Sequence, residues 1–227
     1  MKTILKKLLI LSFVFLNVLC SGKDKNDNSD LLSLLLFKQS TESASSPDNR
    51  GFRYLFVTAD AHNGNFGGIS GADTFCRIQT PNGLGTTGNF KALLVTGNAG
   101  AGNTRIASLN ADANFNGLGD GQVDWVLRAD TEYRSANGTT IVFRTNSRRL
   151  FDFNPANSLQ NSFTTTGGTG IWTALNPDWS AAPSCTNWTV DAGGQGEVGL
   201  PTEKDVQSIH IGTINCNTTA RILCVEQ

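Results

Sequence analysis

Four cysteines, Cys76, Cys185, Cys216 and Cys224, constrain this chain more than any other feature. Their spacings are too wide for a CxxC redox or zinc motif. In an exported chain an even number of thiols forms a disulfide framework, and four thiols allow three pairings. Spacing alone does not choose among the three. The fold therefore turns first on where the chain is folded.

The N-terminus predicts export. Lys2, Lys6 and Lys7 stand without an acid, and residues 8–19 are almost wholly apolar. That is the pattern of a secretory signal. Twelve residues reach only about 18 Å as a helix, against about 30 Å of hydrocarbon. Residues 1–19 are thus expected to be removed rather than to span. The run Leu16-Asn17-Val18-Leu19-Cys20, followed by Ser21-Gly22-Lys23-Asp24, resembles a lipobox of the looser spirochaetal kind, with Leu19 where a small residue is usual. On that resemblance Cys20 is diacylated and anchors the mature chain to a membrane, each buried CH₂ contributing about 0.8 kcal/mol. An ordinary signal peptide with Cys20 incidental is the alternative.

Removing the signal takes the charge balance from 18 basic against 19 acidic residues to 15 against 19, or −4. Nothing in that balance points to nucleic acid. Residues 20–50 read as a lipidated N-terminus and flexible tether, because Lys, Asp, Asn and Ser dominate both ends and such composition buries no core. Within it, Leu31-Leu32-Ser33-Leu34-Leu35-Leu36-Phe37 is too short to cross a membrane and reads as a short apolar helix, resting on the bilayer or on the domain.

From Gly51 the texture changes. Residues 53–59 are rich in aromatic and β-branched types and predict a strand. Asn63-Gly64 and Gly67-Gly68 break it. Ile69, Ala72, Phe75 and Cys76 then recur at helical spacing, predicting a helix over 70–79 with Ser70 as its N-cap. Further strands are expected at 90–96, 171–175, 188–190 and 221–225. Residues 97–122 read as a Gly- and Asn-rich loop. Val123, Trp125 and Leu127 alternate with polar residues, and Asn137-Gly138 marks a hairpin turn before Ile141 and Phe143. Residues 51–227 are therefore expected to form one α+β domain of short strands, one or two helices and long loops.

The cysteine flanks carry a resemblance. Gly68-Ile69-Ser70-Gly71-Ala72-Asp73-Thr74-Phe75-Cys76 and Gly88-Asn89-Phe90-Lys91-Ala92-Leu93-Leu94 resemble the first helix and following strand of endostatin. Ile171-Trp172 with Ser184-Cys185-Thr186-Asn187-Trp188, and the stretch from Cys216 to Cys224 with seven residues between, resemble its later cysteine segments. With the lipobox, the chain is similar to the leptospiral endostatin-like lipoproteins from Arg53 to Gln227, and only loosely over 97–165. The resemblance implies a C-type-lectin-like fold with nested disulfides, Cys76–Cys224 and Cys185–Cys216. It also implies an outer-membrane adhesin at the cell surface. The partners implied are host extracellular-matrix proteins such as laminin and fibronectin, with plasminogen and complement factor H as further ones.

Gly83-Leu84-Gly85-Thr86-Thr87-Gly88 spells G-x-G-x-x-G, but a helix precedes it and a strand follows, the reverse of a phosphate loop. Asp112, Asn114, Asn116 and Asp120 match four positions of a calcium loop, while the twelfth holds Val123 instead of an acid. A solvated polar loop is the plainer reading there. Only His62 and His210 could serve as imidazole bases, and neither lies in a catalytic motif. The N-terminal histidines of endostatin's zinc site are missing, so no metal or other cofactor is carried over.

Arg128, Arg134, Arg144, Arg148 and Arg149 fall within 22 residues whose only acids are Asp130 and Glu132. On one sheet edge they would meet sulfated glycans or acidic patches; a solvated, charge-protected edge is the alternative. Trp125, Trp172 and Trp188 read as core, and Trp179, beside Asn176-Pro177-Asp178, as the tryptophan most open to exposure and contact. The expected function is non-covalent binding, not catalysis. The rivals are a calcium-dependent glycan receptor and an enzyme on a lectin-like fold.

Overall fold

The segment Ile222-Leu223-Cys224-Val225-Glu226 offers no polar face in its first four residues, so it needs cover on both sides. The computed structural model describes residues 50–84, 89–97, 99–108, 121–153, 159–168 and 170–227. It places this segment in the middle of the sheet as β8 (Arg221–Glu226), with all five side chains buried. The expected signal segment, Cys20, the tether and the calcium candidates Asp112, Asn114, Asn116 and Asp120 lie outside the described residues. Those that are described belong to one compact unit, Asp48–Gln227.

β1 (Phe52–Val57) runs antiparallel along one edge of β8, with Leu55 opposite Val225. The other edge is shared. β5 (Ile171–Trp172) lies parallel to its first half, and β2 (Phe90–Ala92) antiparallel to its second. Outward from β1 come β3 (Glu132–Ser135), parallel, and its hairpin partner β4 (Ile141–Arg144). Outward from β5 come β6 (Gln195–Gly199) and β7 (Gly212–Asn215), each antiparallel to its neighbour. The order is β4-β3-β1-β8-β5-β6-β7, with β2 beside β8. The fold is α+β, as its mixed pattern predicts.

Helix α1 (Ile69–Ile78) buries Ile69, Ala72, Asp73 and Cys76. Cys76 is bonded to Cys224 across 148 residues, and Cys185 to Cys216 across 31. Of the three possible pairings the structure thus holds the nested one. On a chain-entropy account each bridge contributes about 2–4 kcal/mol.

Several local expectations are corrected. Ser70 does not cap α1. The helix starts one residue earlier from Gly68 at φ 91°, and the Ile69 N–H donates to Asn103 Oδ1 at 2.8 Å. A distant side chain does what a local one was expected to do. The strand over 90–96 stops at Ala92, because Leu93 and Val95 turn to different partners, the carbonyls of Leu223 and Thr173. The alternation at 123–127 fails, since Trp125, Val126 and Leu127 are all buried.

Residues 188–190 form no strand. Instead α2 (Cys185–Trp188) is one left-handed turn, with φ of 49°, 50°, 60° and 66° in succession. β6 and β7 were not expected. The hairpin turn is as predicted: Gly138 sits at φ 75°, and Asn137 Oδ1 accepts the N–H groups of Thr139 and Thr140.

Candidate functional site

Side chains two apart on a strand share a face, and so do residues opposite each other in register. Glu132 and Arg134 on β3 therefore share a face with Arg144, opposite Glu132 on β4, and with Phe52, opposite Glu132 on β1. Glu132 is buried to within 6% of its side chain, yet it accepts from both neighbours: Arg134 Nε at one oxygen and Arg144 Nη2 at the other. Arg134 Nη1 also donates to the Gly138 carbonyl at 3.1 Å, and its guanidinium lies 4.2 Å above the Phe52 ring. Just before β1, Arg50 stacks 4.7 Å over Tyr54 and pairs with buried Glu226. The result is a row of guanidinium groups and rings set on two buried carboxylates.

One carboxylate beneath two guanidinium groups leaves a net positive charge. Arg144, 62% exposed, keeps N–H donors facing water. Held in place by Glu132, the pair is preorganised for an oxyanion, which guanidinium groups bind through charge-assisted hydrogen bonds.

The other expected arginines flank the open end of the same hairpin, just before β3 and just after β4. The Thr145 hydroxyl donates to the Arg128 carbonyl, Gln122 Nε2 to that of Arg148, and Trp125 Nε1 to that of Arg149. Arg128 and Arg149 are exposed and have no side-chain partner among the described residues. Arg148 stands 4.0 Å from Asp152. The five arginines thus divide into a braced pair and a looser trio.

Trp179 is corrected. It is 5% exposed and no contact residue. Its ring packs against Phe151 at 4.8 Å, stacks on Phe153 at 5.4 Å and meets Trp125 edge-on. The turn after Asn176-Pro177-Asp178 aims it inward, with Trp179 itself at φ 68°.

Sequence reasoning missed a buried charge network. Arg105 is fully enclosed and grips Asp73 with two parallel bonds of 2.9 Å. Its Nε donates to Asp124, which Lys91 also pairs. Burial opposes the charge on Arg105, but its two carboxylate partners prevail and raise its pKa further. Partial burial likewise works against ionised Asp124, while bonds from Lys91 and Arg105 hold its carboxyl below the ordinary value. Asp73 lies on the apolar face of α1, four residues after Ile69. That placement was the available signal. Nearby, burial pushes the Tyr133 hydroxyl up to about 12, and its oxygen accepts from the Arg128 N–H.

The two histidines sit in different surroundings. His210 Nδ1 lies 3.0 Å from buried Glu197, which also accepts from the Gly212 N–H. His62 belongs to an aromatic cluster described below. Among the described residues no three His, Cys, Asp or Glu side chains are grouped to hold a metal, and no helix is long and apolar enough to cross a membrane.

Fold and surface define a disulfide-bonded α+β domain with an arginine-bearing sheet face. Residues 59–204 match the family described as a protein of unknown function, DUF1554, and the chain belongs to that family. No curated protein matches it.

Proposed function

We propose that this chain is a surface lipoprotein adhesin, anchored through Cys20 at the outer membrane, whose endostatin-like and C-type-lectin-like domain binds host matrix proteins without catalysis. The observation that carries the reading is the pair Arg134 and Arg144 braced on buried Glu132. A buried carboxylate that holds two guanidinium groups toward water fixes a binding geometry, whereas an isolated surface pair contributes little stability. Acidic patches and sulfated chains of laminin or fibronectin are the ligand chemistry such a pair accepts. Plasminogen and complement factor H are the further partners in this reading. The nested bridges are those an endostatin-like domain would carry, and they support the kinship.

The test is quantitative binding of the full chain to laminin, fibronectin, plasminogen and factor H, at low and high salt. Arg134→Glu with Arg144→Glu is expected to weaken binding at least about tenfold, and salt to weaken the unmodified chain, since exposed charges are screened within about 8 Å at physiological strength. Affinity that ignores both changes would remove the arginine face from the proposal. No binding to any of the four would remove the adhesin.

A further inference from the structure

Between the end of β1 and helix α1, a cleft of about 360 Å³ is lined by His62, Phe66, Gly67, Ser70, Phe75 and Ile78, among others. That volume is within the usual range for small-ligand sites. Its walls are aromatic. The His62 ring stacks on Phe66 at 4.5 Å and meets Phe75 edge-on at 5.3 Å. Ile78, 73% exposed and the most open large apolar side chain among the described residues, also lines it.

The polar chemistry is narrow. His62 Nδ1 lies 2.9 Å from the Asn63 carbonyl. A carbonyl oxygen only accepts, so Nδ1 carries the proton and the neutral ring keeps Nε2 as an acceptor. No described residue supplies Nε2 with a donor. No charged side chain lines the cleft. Arg77, on the same helix, donates to the Thr74 hydroxyl at 2.6 Å and is not among the lining residues. A Cβ at Gly67 would meet nothing within 4 Å, so that side stays open to a ring.

Two backbone hydrogen bonds hold the chain beneath. The Trp188 carbonyl accepts from the N–H groups of both Phe66 and Gly68, at 3.0 and 2.9 Å. Trp188 is the last residue of the left-handed turn α2, is fully buried, and donates from Nε1 to the Val95 carbonyl. Non-glycine residues adopt that conformation only under constraint. Backbone strain of this kind persists where the surroundings impose it, and it clusters at ligand sites. The aromatic wall is therefore set before any ligand arrives.

We propose that this cleft binds a phenol ring, with the hydroxyl donating to His62 Nε2 and the ring face lying against Phe66 and Phe75. The lining suits a neutral ring with one donor. It offers a charged group no counter-ion and a purely apolar ring nothing for the imidazole. The ring can come from a free phenol or from a tyrosine side chain of a partner polypeptide.

The test titrates the full chain with p-cresol, toluene and N-acetyl-tyrosinamide while the His62 ring protons are followed by NMR. One hydrogen bond predicts that p-cresol binds up to about tenfold tighter than toluene. His62→Phe keeps the stack and removes the acceptor; it is expected to abolish that preference while retaining toluene binding. N-acetyl-tyrosinamide binding as well as p-cresol assigns the site to a tyrosine side chain, and its exclusion assigns it to a free phenol. Equal affinity for p-cresol and toluene overturns the proposal, as does a preference that survives in His62→Phe, or no saturable shift with any probe. None of these outcomes depends on the arginine face.

Discussion

Arg105 and Arg144 both pair with carboxylates, and the two regions use that chemistry in opposite ways. Around Arg105 it is the cation that is enclosed, gripped by buried Asp73 from α1, part-exposed Asp124 from the loop before β3 and the Ala92 carbonyl from β2. The guanidinium joins three segments of the fold and shows nothing to water. Around Arg144 only the carboxylate is inside, and the guanidinium faces out. Burying the cation makes a structural pin; burying the anion makes a presented charge. Which partner is enclosed decides whether an ion pair serves stability or recognition.

The sharpest way to break that contrast is Arg105→Ala. It leaves Asp73 buried without its cation, and a loss of about 3–5 kcal/mol is expected in denaturant unfolding. A loss below 1 kcal/mol, on the order of an exposed pair, would erase the distinction. Trp179→Ala should cost a similar amount, about 3–5 kcal/mol, as a buried tryptophan rather than a contact residue. It should leave matrix binding per folded molecule unchanged.

Glu132→Gln should act on recognition more than on folding. It frees exposed Arg144 and half-buried Arg134 from their shared brace, and affinity for an anionic partner is expected to fall several-fold while secondary structure by circular dichroism is retained. Arg144→Ala should shift stability by no more than about 0.5 kcal/mol, the scale of surface changes. The smallest effect concerns acid. Asp124 has its folded-state pKa depressed below the ordinary 3.8, so its contribution is fully present above that value and fades as pH falls through the folded value. Between about pH 5 and pH 2 the melting temperature of the unmodified chain should therefore fall more than that of Asp124→Asn.

What the sequence disclosed follows the same line between local and distant causes. β1, β8, the hairpin turn and α1 were legible because their signals are local: β-branched runs, Asn-Gly, and apolar residues at helical spacing. The left-handed turn at Cys185 was not. Its conformation is imposed by a bridge to Cys216 and by the docking of Trp188 under Val95, and its residues carry no such preference. β6 escaped for a related reason. Gln195-Gly196-Glu197-Val198-Gly199 reads as a polar loop until His210 and the Gly212 N–H reach Glu197. A Cβ at Gly196 would stand 2.8 Å from the Trp172 ring, so that glycine is there for close packing. On the candidate surface the arginine cluster was visible, but its division into a braced pair and a loose trio depends on strand register.

The position of β8 reaches beyond the folded state. Three strands, β1, β2 and β5, hydrogen-bond directly to it, and it follows all seven others in chain order. Until those six residues are in place, the two wings of the sheet have no common axis to assemble on, and Cys76 has no mate. Completion of the sheet therefore waits on its last strand, and a chain cut before β8 is expected to leave two unjoined halves instead of a smaller working domain.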